Sequence, residues 1–254
     1  MAKTEYGISK AKPSFPSIDL LRVPHKGKTL ILAYPSFGPN SYSKNREEMQ
    51  KIYTHSAEFP QLSFNPATTS ESISGISYDF KNEGKPKILD PTWLQLGYIV
   101  RISEGAFANP PRDAEGNPIT DEKSLKSLLN GVNKINGIYL LSNDFGFAPY
   151  ETFKQGEQDS EEFAQSGLAR LLEHTSEKEA KNLKEIFSPE FYRNGVDVSG
   201  FNEVKEPILR VAALYSSRLL NAGRFYVYGY DRGGSNDGYA FGVSPLAKPE
   251  REKI

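Results

Sequence analysis

Residues 207–247 contain no Lys, Glu, Gln, Met or Trp, and inside that window FYVYGY (225–230) alternates between two kinds of side chain. The alternation constrains the fold most directly. It predicts a strand with Phe225, Val227 and Gly229 on one face and Tyr226, Tyr228 and Tyr230 on the other. Two physical readings of the missing residue types compete. A buried, sheet-rich end of a domain excludes long charged side chains. A binding surface built like an antibody paratope uses Tyr for stiff contact area and Ser, Gly and Asn for adaptable hydrogen bonds. Asp231, Arg232 and Asp237, set among the loop formers of DRGGSNDG (231–238), favour the binding surface.

The rest of the chain predicts a mixed α+β protein. Strands are expected at 28–34, 93–103, 137–141, 209–214, 225–230 and 239–243. Helices are expected at 43–57 with Ser43 as cap, at 121–129, at 163–172, and at 177–187 with Ser176 as cap. The Ser/Thr/Pro-rich stretch 61–77 carries only a weak pattern, and 82–91 is the best boundary. Residues 1–85 are therefore expected to form a subdomain or to pack on a main domain spanning 86–254. The strand at 28–34 is free to pair with the final strands.

Composition narrows the function. A chain of 254 residues suits one large domain or two small ones. The net charge of −1 gives no electrostatic case for nucleic acid or for an acidic membrane surface. The absence of cysteine removes disulfides, thiolate metal sites and a cysteine nucleophile. The opening MAKTEYGISK lacks an apolar core, so no signal peptide is expected, and the longest apolar run, 30–34, is too short to span a bilayer. The expectation is a soluble protein without membrane insertion, in a location left open, with an oligomer allowed.

No catalytic constellation assembles. His25, His55 and His174 lie in unrelated contexts, and none has metal-ligand spacing. His174 follows Glu173 at a predicted helix end, where a cation suits the macrodipole. The loop GGSNDG superficially resembles a calcium loop, but only Asp231, Asn236 and Asp237 are at hand, so a plain turn is expected. Phosphate-binding, nucleophile-elbow and zincin motifs are missing. The acidic run Glu157, Asp159, Glu161 and Glu162 reads as charge at a helix N-terminus. No cofactor and no metal are expected.

The run RVAALYSSRLLNAGRFYVYGYDRGGSNDGYAFGV (210–243) resembles the variable region of proteins diversified by diversity-generating retroelements, and is most similar to archaeal and archaeal-virus members. The resemblance implies a C-type lectin-like fold, an antiparallel sheet with flanking helices, and a hypervariable face binding a protein or glycan ligand. Diversification acts on template adenines, typically at AAY codons. The resulting codons end in a pyrimidine and cannot encode Lys, Glu, Gln, Met or Trp. The family pattern carries over to Tyr215, Ser217, Tyr226, Tyr228, Tyr230, Asp231, Arg232, Asn236, Asp237 and Tyr239 as binding positions. Phe225, Val227, Phe241 and Val243 become the scaffold beneath them. The last strand reads Phe241-Gly242-Val243 and departs from the Gly-Phe-Arg ending of bacterial relatives. The resemblance covers only roughly the last 40 residues. The implied protein is not an enzyme. The related formylglycine-generating oxidases work through cysteine, which this chain lacks. A soluble α+β domain with a fixed binding or structural role is the alternative.

Overall fold

A computed structural model describes residues 3–4, 6–7, 18–34, 37–51, 53–54, 62–83, 93–141, 144–189, 192–216, 223–229 and 238–245. Near the start, β1 (Ile18–His25) and β2 (Lys28–Tyr34) form an antiparallel hairpin. Its turn is Lys26-Gly27, both left-handed at φ 47° and 73°, as the tightest hairpins require. The free edge of β2 pairs with the last described strand, which places Val243 opposite Leu32. The 28–34 strand thus meets the chain's final strands.

A larger sheet carries the rest. It is built from β3 (Phe37–Asn40), β4 (Trp93–Ile102), β5 (Gly105–Ala108), β6 (Ile138–Leu140), β7 (Gly146–Pro149), β8 (Gly156–Gln158), β9 (Val196–Ser199), β10 (Ile208–Ser216), β11 (Phe225–Tyr228) and β12 (Gly238–Ala240). The strand order is β6-β7-β5-β4-β10-β11-β9-β8, with the two-residue strand Lys134–Ile135 on the outer edge of β6, while β12 pairs with β3 and with the start of β4. Neighbours along the main path are antiparallel except β9 and β11, which run parallel. The expected final strand 239–243 is split at Phe241. β12 joins the large sheet and β13 (Gly242–Pro245) joins the hairpin sheet.

The helices are α1 (Tyr42–Lys51), α2 (Thr69–Glu83), α3 (Glu122–Ser127), α4 (Ser160–Gln165), α5 (Gly167–Glu173) and α6 (Lys181–Ile186). The main core joins Ile73 and Ile76 of α2, Phe163 of α4, Leu168 and Leu172 of α5 and Leu183 of α6 to one face of the large sheet. That face supplies Leu94, Leu96, Val196, Val198, Leu214, Phe225 and Val227. The opposite face is covered in pieces. α1 brings Tyr42 and Met49 against Val211 and Ala240, and Leu125 of α3 packs with Val100, Ile102 and Phe107.

Several helix boundaries differ from the sequence expectation, each for a physical reason. The weakly patterned stretch 61–77 runs into α2, a helix whose buried positions mix Ile73 and Ile76 with Thr69, Ser70, Ser72 and Ser77, so its apolar stripe is interrupted by hydroxyls. Its start carries a capping box: Thr68 N donates to Glu71 Oε2 at 2.8 Å and Glu71 N to Thr68 Oγ1 at 3.3 Å. The expected 43–57 helix is α1, ending at Lys51, and Ser41 rather than Ser43 accepts at its start, from Lys44 N at 3.4 Å. The 163–172 helix is broken at Ser166, which ends α4 and caps α5 through Ala169 N at 3.2 Å. The 177–187 helix begins only at Lys181, and Ser176 does not cap it. The buried Glu173 carboxylate does so from α5, accepting from Asn182 N at 3.3 Å and Leu183 N at 3.1 Å. Asp159 caps α4 through Glu162 N at 2.7 Å, as the acidic run implied.

Candidate functional site

Three adjacent strands bring four aromatic rings together. In β11 alternation buries Phe225 and Val227 fully and leaves Tyr226 and Tyr228 half-buried on the other face. In β10 Tyr215 lies opposite Tyr226, and in β9 Asp197 lies beside Tyr226 and Ser199 beside Tyr228. Glu157 of β8 follows next to Asp197. Trp93, the only tryptophan of the chain, closes the row at the start of β4.

The rings touch in a continuous cluster. Trp93 stacks on Tyr215 with centroids 4.3 Å apart and planes 17° from parallel, and it meets Tyr228 at 4.7 Å and 56°. Tyr226 lies 6.0 Å from Tyr215 and 5.6 Å from Tyr228, the latter at 15°. Pairs at these separations hold one another beyond the area they bury. Beneath them, Phe225 packs 4.1 Å from Phe187 and 5.2 Å from Tyr192. The Tyr192 hydroxyl is tied to Ser216 at 3.1 Å. A stiff, fully buried layer thus supports a half-buried aromatic layer.

The sequence-predicted positions divide. Tyr215, Tyr226 and Tyr228 come together, while Tyr239 stands apart from the ring cluster. Gly238 packs on Gln95 and Ala240 on the α1 core, so alternation in β12 turns Tyr239 to the opposite side from Trp93. Ser217, Tyr230, Asp231, Arg232, Asn236 and Asp237, and with them the glycine-rich loop, lie outside the described residues. Phe225, Val227, Phe241 and Val243 are all buried, as scaffold positions should be. Trp93 was missed as a site residue. The signal was its offset in the WLQLGYIVRIS strand, where Trp93 shares its face with Gln95 rather than with the core leucines.

A second constellation was also missed. Asp144 lies at its centre. Its carboxylate is paired with the Lys26 ammonium and accepts from Thr68 Oγ1 at 2.6 Å. Lys26 Nζ further reaches Ser70 Oγ at 3.2 Å and His174 Nδ1 at 3.1 Å. His174 Nε2 lies 3.2 Å from Phe145 O, which assigns the donor proton to Nε2 and leaves Nδ1 to accept from Lys26. Asn109 Nδ2 bonds Asp144 O and Thr69 Oγ1, both at 3.0 Å. Among the described residues, four of the five left-handed non-glycine positions meet here: Lys26, Asn109, Asp144 and His174.

The electrostatics of this hub are one-sided. Burial by itself pushes the Asp144 carboxyl up, but hydrogen bonds from Lys26, Thr68 and Ser70 and the Lys26 charge outweigh it and hold the group at about 2. Burial first, and the Lys26 charge second, hold the His174 imidazole below its ordinary value. His174 is therefore neutral at pH 7, which corrects its expected role as a cation at the helix end. Burial likewise lowers His25, whose Nδ1 lies 2.9 Å from Ser74 Oγ, and raises Glu71. The hub clips the β1–β2 turn to the start of α2, the turn before β7 and the end of α5.

Among the described residues no helix is long and apolar enough to cross a membrane, and no group of three or more His, Asp or Glu is placed to hold a metal ion. No family model, curated protein or solved structure matches the chain.

Proposed function

We propose that this chain is a non-enzymatic ligand-binding protein of the retroelement-diversified type, on a C-type lectin-like fold, with its binding face in the C-terminal region. One observation carries the reading. Trp93, Tyr215, Tyr226 and Tyr228 form a single half-buried ring cluster, while the alternate side chains of the same strands are fully buried. Side chains on that face can change without touching the core, which is what a display surface requires. The architecture is a mixed sheet with flanking helices; most neighbours are antiparallel, but β11 runs parallel to β9 and β12 parallel to β4, which departs from the wholly antiparallel sheet expected.

The experiment is to sequence the 3′ end of the gene across a population of its source. Substitutions concentrated in codons 210–243, at template-adenine positions, with a near-copy of that region and a reverse transcriptase nearby, are the expected result. A uniform 3′ end with no template copy overturns the reading and leaves an α+β domain with a fixed site.

A further inference from the structure

The ring cluster has a charge at its edge. Asp197 stands beside Tyr226 on the same face, in parallel register. Among the described residues its carboxylate accepts one hydrogen bond, from Ser199 Oγ at 2.8 Å, and no Lys, Arg or His pairs with it. The neighbouring carboxylate, Glu157, is neutralised by Arg224. The guanidinium groups of this edge, Arg193 and Arg224, line a separate cleft with Glu157, Tyr192 and Asn194, which neither Asp197 nor Tyr226 lines. The row Glu157, Asp197, Tyr226, Tyr215, Trp93 therefore supplies ring faces and, among the described residues, one carboxylate with no paired cation.

Ring faces carry the negative lobe of the aromatic quadrupole and attract a cation lying over them. A carboxylate at the rim of such a cluster adds a directional acceptor for the same charge. A neutral ligand would bring no counter-charge to Asp197. A guanidinium would stack on Tyr226 or Tyr228 and reach Asp197 with its edge.

We infer that the Trp93–Tyr215–Tyr226–Tyr228 cluster together with Asp197 takes a cationic side chain, arginine in first place, presented by a protein partner. This rests on the reading of the ring cluster as the binding face and assigns that face a ligand chemistry. It commits to a basic protein epitope rather than a glycan.

Trp93, the only tryptophan, lies inside the cluster, so its fluorescence reports on that site alone. The full chain is titrated with the peptide Ac-GRGRGRG-amide, with the same peptide carrying citrulline for arginine, and with a neutral oligosaccharide, N-acetylchitotriose. The arginine peptide is expected to shift Trp93 emission with a midpoint at least tenfold below that of the citrulline peptide. Asp197→Asn is expected to weaken the arginine peptide about tenfold and to leave the citrulline peptide unchanged. Asparagine keeps an acceptor for Ser199, so the melting temperature checks that the fold is intact. Equal midpoints for the two peptides, or no effect of Asp197→Asn, overturn the cationic assignment and leave the binding face standing. A response to the oligosaccharide alone does the same. No response to any probe at millimolar concentration overturns the assignment and the binding face together.

Discussion

Asp144→Asn is the sharpest test of how the N-terminal hairpin is held to the rest of the molecule. The substitution keeps the shape of the side chain and removes its charge. In the folded protein the carboxyl is held at about 2, against an ordinary 3.8, although burial opposes the shift. That difference corresponds to about 2 kcal/mol favouring the folded state at neutral pH. The side chain is only 12 % exposed, so solvent screening does not erase the effect. The sign follows from proton binding. Below 3.8 the unfolded chain takes up the proton first, so the contribution is complete above 3.8 and is lost as pH falls through 3.8 toward 2. Urea denaturation of both proteins at pH 7 and at pH 2.5 reads it directly. The variant is expected to be less stable by about 2 kcal/mol at pH 7, roughly 4–8 °C in melting temperature for a chain of this size. The gap is expected to close mostly by pH 2.5. Glu71, raised first by burial and also by the Asp144 charge, adds to the curves of both proteins and adds less in the variant. An equal gap at both pH values would refute the argument, since it would trace the loss to shape rather than charge.

Two further outcomes test the two faces of the fold. Phe225→Ala removes a ring with 0 % exposure and is expected to lose about 3–5 kcal/mol in urea denaturation. Tyr226→Ala on the same strand is expected to lose about 1 kcal/mol, the value of its ring contacts; a loss matching that of Phe225→Ala would place Tyr226 in the core. For the hub, His174 and His25 both titrate below 6.5 in the folded state. Stability is therefore expected to be full above 6.5 and to decline as pH falls below it. His174→Asn, which tolerates the left-handed backbone at φ 51°, should shrink that decline; an unchanged slope between pH 7 and 5.5 would show that His174 is not its source.

The sheet was legible where residues alternate or run apolar. The 93–103 stretch is β4, and the alternation in FYVYGY correctly separated the faces of Phe225 and Tyr226. The hydrophobic set of β2 left it free to join a final strand, and it does so through Val243. Helices were less legible where their faces are mixed or their caps come from elsewhere in the chain. α2 buries hydroxyls beside Ile73 and Ile76, so Ser77, bonded to Asn182 at 3.0 Å, stands where a leucine would have announced the helix. α6 is capped by Glu173, whose position nine residues before Asn182 no cap pattern scans. The hub was illegible for the same reason: Lys26, Thr68, Asn109, Asp144 and His174 are far apart in the chain and are joined only by tertiary contacts. Its one sequence trace is Lys26-Gly27, a turn dipeptide.

The position of Trp93 bears on how a changing face could keep its shape. Trp93 lies outside the window 207–247, and that window contains no Trp. Under the proposed diversification no codon produced there encodes Trp, so an indole in the cluster has to come from another strand. β4 supplies it: Trp93 contacts Tyr215 and Tyr228 at once, from two different strands of the window. Replacing either tyrosine then removes one contact and leaves the other, and the indole stays seated on the remaining partner. Residues in direct contact couple, whereas residues on opposite faces of β11 share no partner among the rings of this cluster. Changes at Tyr215 and Tyr228 should therefore couple with Trp93 and add independently to changes at Phe225 or Val227. Under that proposal, a fixed aromatic anchor from outside the window, above the buried Phe225 and Val227, would let the face vary while the sheet that presents it stays the same.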